Sequence, residues 1–205
     1  MNKPTPRNLA LFIVIGLVIL VSIGAAVMAY SVYIKRSDAG IVRVLGSWLP
    51  AARVDGKTIS YGDVLKTRDT LKVYLKSEAA QAQGFTESLT PDLEKKATVE
   101  RLMRDHVVAE MAKEKNVTLT DEDVRKEFDQ MTASASATMP NVGEFLAKNF
   151  GWNEAEFQAN VVRPALLESR VAMTYGTSTE AQITGFQTEV DKRLTSSEAK
   201  IYLKY

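Results

Sequence analysis

The sequence predicts a mainly α-helical domain, closed by a small antiparallel sheet and preceded by an N-terminal transmembrane helix. Three observations carry this. Leu9 to Ile34, "LALFIVIGLVILVSIGAAVMAYSVYI", holds no charged residue over 26 positions. Most of the remaining chain reads as amphipathic helices with explicit start signals. Short alternating stretches stand at the two ends of that helical region, "ARVDGKTIS" at Ala52–Ser60 and "EAKIYLKY" at Glu198–Tyr205.

The apolar run would make a helix about 39 Å long, enough to cross a bilayer core with some tilt. Lys3 and Arg7 precede it, and Lys35-Arg36 follow it. Basic residues at both ends leave a weak orientation bias. The rival reading is a cleavable signal peptide, because Val27-Met28-Ala29 has the small residues of a cleavage site. The run is long for that, so residues 1–36 are expected to be tail and anchor. Gly16, Gly24, Ala25 and Ala29 are the small residues that helix pairing in a membrane uses, which leaves a membrane partner or a homo-oligomer open. Residues 37–50, "SDAGIVRVLGSWLP", are expected to be a juxtamembrane connector packed on the domain through Trp48 and Leu49. Residues 51–205 form the folded domain.

Asp55-Gly56 is a strong hairpin signal, since a type I′ turn needs two residues that tolerate positive φ. Flanks of three residues are marginal alone in water, so the hairpin needs a partner. The end of the chain supplies one: Ala199, Ile201 and Leu203 alternate with Lys200, Tyr202 and Lys204, the period of a strand. A strand over 199–204 is therefore expected beside the hairpin at 52–59, with Val54 and Ile59 next to Ile201 and Leu203.

Between them lie six helical segments. Ser60-Tyr-Gly-Asp63 is a capping-box start for a helix to about Ala82. Thr90 followed by Pro91 opens a second helix to about Lys115. Thr120-Asp-Glu-Asp123 opens a third, which fades in "MTASASATM" from Met131 to Met139. Pro140-Asn141 leads a short fourth helix, "VGEFLAKNF". Asn153-Glu-Ala-Glu156 opens a fifth to about Tyr175, with Pro164 expected to kink or split it. Thr177-Ser-Thr-Glu180 opens a sixth to about Leu194. In the second helix Val99, Met103, Val107 and Met111 form a core stripe, widened by Leu102 and Val108.

Four of the 26 basic residues lie before position 37 and all 25 acidic residues after it, leaving 22 basic against 25 acidic, or −3, in the remainder. No basic patch tracks a nucleic-acid backbone, so nucleic acid is excluded as a partner. The absence of cysteine removes disulfides, thiol catalysis and Cys-ligated metals. His106 with Glu110 one turn on could share a metal, but two ligands are a poor site, and a satisfied core or boundary histidine is expected. Ser197-Glu-Ala-Lys200 matches S-x-x-K without its companion S-D-N and K-T-G elements. Asp121, Glu122 and Asp123 read as a helix cap. Asn116-Val-Thr118 fits a glycosylation acceptor, a short and common pattern. No glycine-rich phosphate loop occurs. No catalytic residue, metal or cofactor is expected.

The methionines divide in two. Met103, Met111 and Met173 are expected in the core, while Met131 and Met139 bracket the Ala/Ser-rich stretch as candidates for exposed, adaptable contacts. Phe145, Phe150 and Trp152 next door could line an apolar groove.

Together these features resemble the N-terminal chaperone domain of the SurA, PpiD and PrsA type of extracytoplasmic foldase. That family opens on an "A-x-V-N-G-x-x-I-s" hairpin, here "ARVDGKTIS", with Asp55 in place of the usual asparagine. It continues with a long helix, a lysine-rich turn and "G-I-x-V-S-D-E-E-V", here "MAKEKNVTLTDEDV" from Met111 to Val124. A later "F-x-x-x-L-x-x-x-G-x-s-x-x-x-F-r-x-x-i-r-x-x-L" is matched by "FLAKNFGWNEAEFQANVVRPALL" from Phe145 to Leu167. Relatives commonly carry parvulin prolyl isomerase domains after the fifth helix; here only "YGTSTE", Tyr175–Glu180, stands at that point. The resemblance implies a non-catalytic, single-pass protein of the bacterial cell membrane, its domain outside the cytoplasm. It would bind unfolded or nascent polypeptides through an apolar groove, with Met131, Met139, Phe145, Phe150 and Trp152 as the client-binding residues. The alternative is an adaptor of the cell envelope serving one fixed partner.

Overall fold

A computed structural model of the chain describes residues 21–35, 40–77, 80, 90–135 and 141–204. Residues 21–33 are helical (α1), followed by a short helix α2, Gly40–Leu45. The hairpin strands are β1, Pro50–Val54, and β2, Lys57–Ser60. Then come α3, Tyr61–Leu75; α4, Pro91–Glu114; α5, Asp121–Ala135; and α6, Val142–Phe150. The fifth predicted helix is a composite of α7, Glu154–Phe157, a π-helical segment Gln158–Val162, α8, Arg163–Ala172, and a 3₁₀ turn Met173–Tyr175. Helix α9, Thr179–Leu194, and strand β3, Lys200–Ile201, complete the domain. The residues described are mainly helical.

The sheet is antiparallel in the order β2-β1-β3, so the two ends of the domain meet in it. Asp55 (φ 46°) and Gly56 (φ 75°) make the two-residue turn the sequence predicts. Opposed residues of an antiparallel pair share a face. Ala52 faces Ile59 on one side and Ile201 on the other. The terminal strand is shorter than the expected 199–204. After Ile201 the Tyr202 and Leu203 N–H groups both turn to the Ala51 carbonyl, at 2.9 and 3.4 Å. This break lets Leu203 reach the core with Val54 and Ile59, whereas Ile201 stays exposed at the sheet rim.

Six of the helices start on a local side-chain bond, whereas α8 continues from the π segment without one. Ser60 and Asp63 form a reciprocal capping box, Thr90 accepts the Leu93 N–H beside Pro91, and Thr120 and Asp123 bond reciprocally. Asn141, Asn153 and Ser178 cap α6, α7 and α9. Helix α4 ends on Asn116, whose left-handed backbone (φ 55°) is the position glycine or asparagine fills after a helix. One end differs from expectation. Helix α3 stops at Leu75 rather than near Ala82, and the Ser77 hydroxyl accepts the Ala80 N–H at 3.3 Å, a bond of N-cap geometry.

The main core gathers Val54 and Ile59 of the hairpin, Val64 and Leu65 of α3, the predicted α4 stripe Val99, Met103, Val107 and Met111, Val171 of α8, Phe186 and Val190 of α9, and Leu203. Each such side chain contributes about 1.5–3 kcal/mol of burial. A second cluster joins Val124 and Phe128 of α5, Leu146 of α6 and Val162 of the π segment. Met173 is exposed in its 3₁₀ turn, against the expectation that it lies in the core.

The N-terminal segments are tied to this domain. Val32 of α1 is buried in the main core, and the Tyr33 hydroxyl donates to the Pro50 carbonyl at 2.7 Å. Of the two connector residues expected to pack, Leu49 is buried and Trp48 is exposed. No helix among the described residues is long and apolar enough to cross a membrane. Residues 9–20 of the predicted span lie outside the described residues.

Candidate functional site

A cleft of about 470 Å³ opens between α3, α4 and the π segment. Two helix faces with the same spacing form its long walls: Lys66, Thr67, Thr70, Leu71 and Tyr74 on α3, and Ala97, Thr98, Arg101, Leu102 and Asp105 on α4. Residues at i, i+1, i+4, i+5 and i+8 lie on one helical face. Ala159, Asn160, Val161 and Pro164 form the third wall, and Phe150 and Trp152 line the cleft beside Tyr74.

Pro164 shapes that third wall. It has no N–H to give the Asn160 carbonyl four residues back. Arg101 supplies the missing donor from across the cleft, Nη2 to the Asn160 oxygen at 3.0 Å. A π-helical segment ends two residues before the proline, and such segments mark places where a regular helix has been interrupted. Where a kink or split is expected at Pro164, the structure shows a change of helix type just before it.

The aromatic side of the cleft is pinned by α6. Gly151 ends that helix in the left-handed conformation (φ 69°) and turns the chain back. Trp152 then stacks on Phe150 (centroids 5.9 Å, interplanar 13°), and Phe150 stacks in turn on Tyr74 (5.2 Å, 10°). The edges of Phe145 and Phe157 brace Phe150 at 6.4 and 5.4 Å. Such pairs are worth about 0.5–1.5 kcal/mol each beyond their burial. The result is a fixed aromatic column rather than loose rings.

The polar groups are of both signs. Burial raises the Asp105 carboxyl above its ordinary value, against the opposing pull of Arg101 and Arg104, with Glu168 adding to the rise. Arg101 Nε stands 3.8 Å from the Asp105 carboxylate. Arg104 is tied to Glu168 at 2.7 Å. The Thr98 hydroxyl donates to the Glu94 carbonyl at 2.7 Å. Apolar faces, fixed aromatic rings and dispersed hydroxyl and charged groups can hold a short peptide segment without demanding one sequence.

Of the five predicted contact residues, the fold brings Phe150 and Trp152 into the cleft. Phe145 packs behind them against the second cluster. Met131 is exposed on α5, which continues as helix to Ala135, and is not part of the cleft lining. Met139 lies outside the described residues. Sequence reasoning missed the α3 wall and Arg101. The available signal was Pro164, which implies an orphaned carbonyl and hence a donor elsewhere.

The other candidates have structural partners. Glu110 receives Lys57 at 2.7 Å and Lys113 at 2.8 Å, which hold its carboxyl at about 2. His106 is not the satisfied histidine expected: its Nε2 is buried with no hydrogen-bond partner among the described residues. Burial first, then the nearby Lys57, lowers its pKa. Among the described residues no cluster of three or more His, Cys, Asp or Glu side chains is placed to hold a metal. Asp123 caps α5 and also binds Arg170 of α8 at 2.7 Å, so the acidic triplet is both cap and helix tie.

Comparison with known proteins gives one assignment. The family model of the SurA-like N-terminal domain matches residues 4–168. No curated protein and no solved structure matches the chain. The match takes in the hairpin, helices α1 to α7 and the whole cleft, and stops short of α9 and β3, which complete the same core. The chain belongs to the SurA-like N-terminal domain family, a chaperone-type family.

Proposed function

We propose that this protein is a membrane-tethered holdase of the cell envelope. It binds unfolded or translocating polypeptides through the cleft between α3, α4 and the π segment, without itself catalysing a reaction. The observation that carries this reading is the cleft: about 470 Å³, lined by the Tyr74–Phe150–Trp152 column, by Leu71, Leu102 and Val161, and by three threonines. That volume lies in the range of pockets that take a small ligand or a few side chains. Its lining favours apolar and aromatic side chains and imposes no fixed register. Anchoring through Leu9–Ile34, in a single pass with the domain outside the cytoplasm, raises the effective concentration of clients near the membrane without tight binding.

The test is aggregation suppression by the full chain against several unrelated unfolded proteins. Protection at near-stoichiometric amounts is expected, and Leu71→Asp, which places a charge in the apolar wall, should remove most of it. Failure to protect any client would sink the proposal. A proline-peptide isomerisation assay should give the uncatalysed rate, and clear acceleration would overturn the non-catalytic reading.

A further inference from the structure

Four large apolar side chains stand in solvent on and just after α2: Ile41 (64 % exposed), Val44 (72 %), Leu45 (49 %) and Trp48 (63 %). Ile41, Val44 and Leu45 share one helix face at i, i+3 and i+4, with Trp48 the next step of that series. Val42, on the other face, is buried in the main core.

This segment is held rigidly. The Arg43 guanidinium makes a two-pronged bond to Asp69 of α3. The Gly62 N–H donates to the Ser47 carbonyl at 2.8 Å, and the Tyr61 N–H to the Leu49 carbonyl at 2.7 Å. Gly46 is packed so closely that a Cβ there would meet the Val42 oxygen of α2 itself at 2.6 Å and Val32 Cγ2 of α1 at 3.2 Å. The segment's buried face is thus fixed against the last turns of α1, which leaves the exposed apolar face beside the point where the uncharged run ends.

We infer that Ile41, Val44, Leu45 and Trp48 form a second membrane contact, a shelf seated in the headgroup layer beside the point where the apolar helix leaves the bilayer. The inference rests on the reading of Leu9–Ile34 as a membrane anchor. Ile41 to Leu45 covers about 6 Å of helical rise. The headgroup layer on each side of a bilayer is about 5–7 Å deep, so a shelf touching the end of α1 falls within it. Tryptophan with aliphatic neighbours is the composition of that layer. A second copy of the chain is a poorer occupant. Four side chains offer far less than the about 800 Å² per partner of a stable protein interface. Together with the docked end of α1, the shelf would fix the domain's tilt on the membrane.

The test uses the full chain in phosphatidylcholine–phosphatidylglycerol vesicles, with and without a phosphatidylcholine carrying a shallow acyl-chain quencher. Trp152→Phe leaves Trp48 as the only tryptophan, and wild type against Trp48→Phe gives the same information if the first variant is unstable. The expected result is co-flotation with vesicles, loss of most Trp48 emission to the lipid quencher, and little loss to aqueous iodide. Co-flotation with Trp48 quenched by iodide and not by lipid overturns the shelf and leaves the anchor standing. Co-flotation with Trp48 shielded from both quenchers assigns the patch to a protein contact and also overturns it. Failure to float overturns the anchor reading and the shelf together.

Discussion

Leu203 and Ile201 lie two residues apart in the terminal segment, and simple alternation treats them alike. The structure separates them. Leu203 is 6 % exposed and packs with Val54 and Ile59, whereas Ile201 is 42 % exposed at the sheet rim. A buried Leu→Ala change costs about 2–5 kcal/mol. Leu203 sits near the surface, where the site can partly collapse, so the lower half of that range is expected for Leu203→Ala. Ile201→Ala removes a side chain that is almost half solvated, and should cost about 1 kcal/mol or less. Deleting residues 199–205 loses Leu203, the β3 ladder and the two bonds to the Ala51 carbonyl. At about 1 kcal/mol per bond the total approaches the 5–15 kcal/mol that holds an ordinary domain together. Urea unfolding of the detergent-solubilised chain, followed by far-ultraviolet circular dichroism, measures all three variants. An Ile201→Ala loss equal to or above that of Leu203→Ala would refute the break after Ile201. A truncated chain with wild-type stability would refute the closure of the domain by its own end.

Three further outcomes follow from the charges and the backbone. Arg193 binds Glu114 (2.6 Å), Glu189 (3.0 Å) and Asp55 of the hairpin turn (3.2 Å). Its guanidinium holds the Glu114 and Glu189 carboxyls below their ordinary values. That stability is present above the unfolded carboxylate pKa and is lost as pH falls through the lowered folded values. Arg193→Met should therefore cost about 1–2 kcal/mol near neutral pH, and the difference from wild type should shrink in acid melts. His106 acts in the same direction at higher pH. Its folded pKa is lowered, so the unfolded chain takes up the proton first, and stability falls as pH drops below about 6.5; His106→Phe should flatten that part of a stability–pH curve. Gly151→Ala should cost about 1 kcal/mol through its left-handed φ alone, since the nearest atom to a new Cβ is Val73 Cγ1 at 3.8 Å; its urea midpoint against wild type checks this.

The elements legible in the sequence are those fixed by short-range chemistry. Ser60, Thr90, Thr120, Asn141 and Asn153 each start a helix because a side chain reaches an N–H three residues on. Asp55-Gly56 turns because both residues accept positive φ. The α4 stripe was visible because burial on one face imposes its period. What was hidden depends on tertiary placement. The α3 wall of the cleft carries Lys66, Thr67 and Thr70, a face that reads as ordinary solvent surface until α4 and the π segment stand opposite it. Met173 and Trp48 look like core residues by composition, yet a 3₁₀ turn and a pinned connector leave them outside. Phe150 and Trp152 are legible as a local aromatic cluster around the α6 end, and both line the cleft. Met131 is exposed as its place at the end of α5 suggests, but it stands on α5 and not on the cleft wall.

The central claim is that the cleft receives many different unfolded chains, and Trp152 on its rim is the position from which to ask. A photo-crosslinking residue at position 152 of the full chain, activated in growing cells, should capture a broad smear of unrelated polypeptides, thinned by Leu71→Asp in the same chain. Capture of one discrete partner, unaffected by unfolding stress, would identify an adaptor instead and contradict the account.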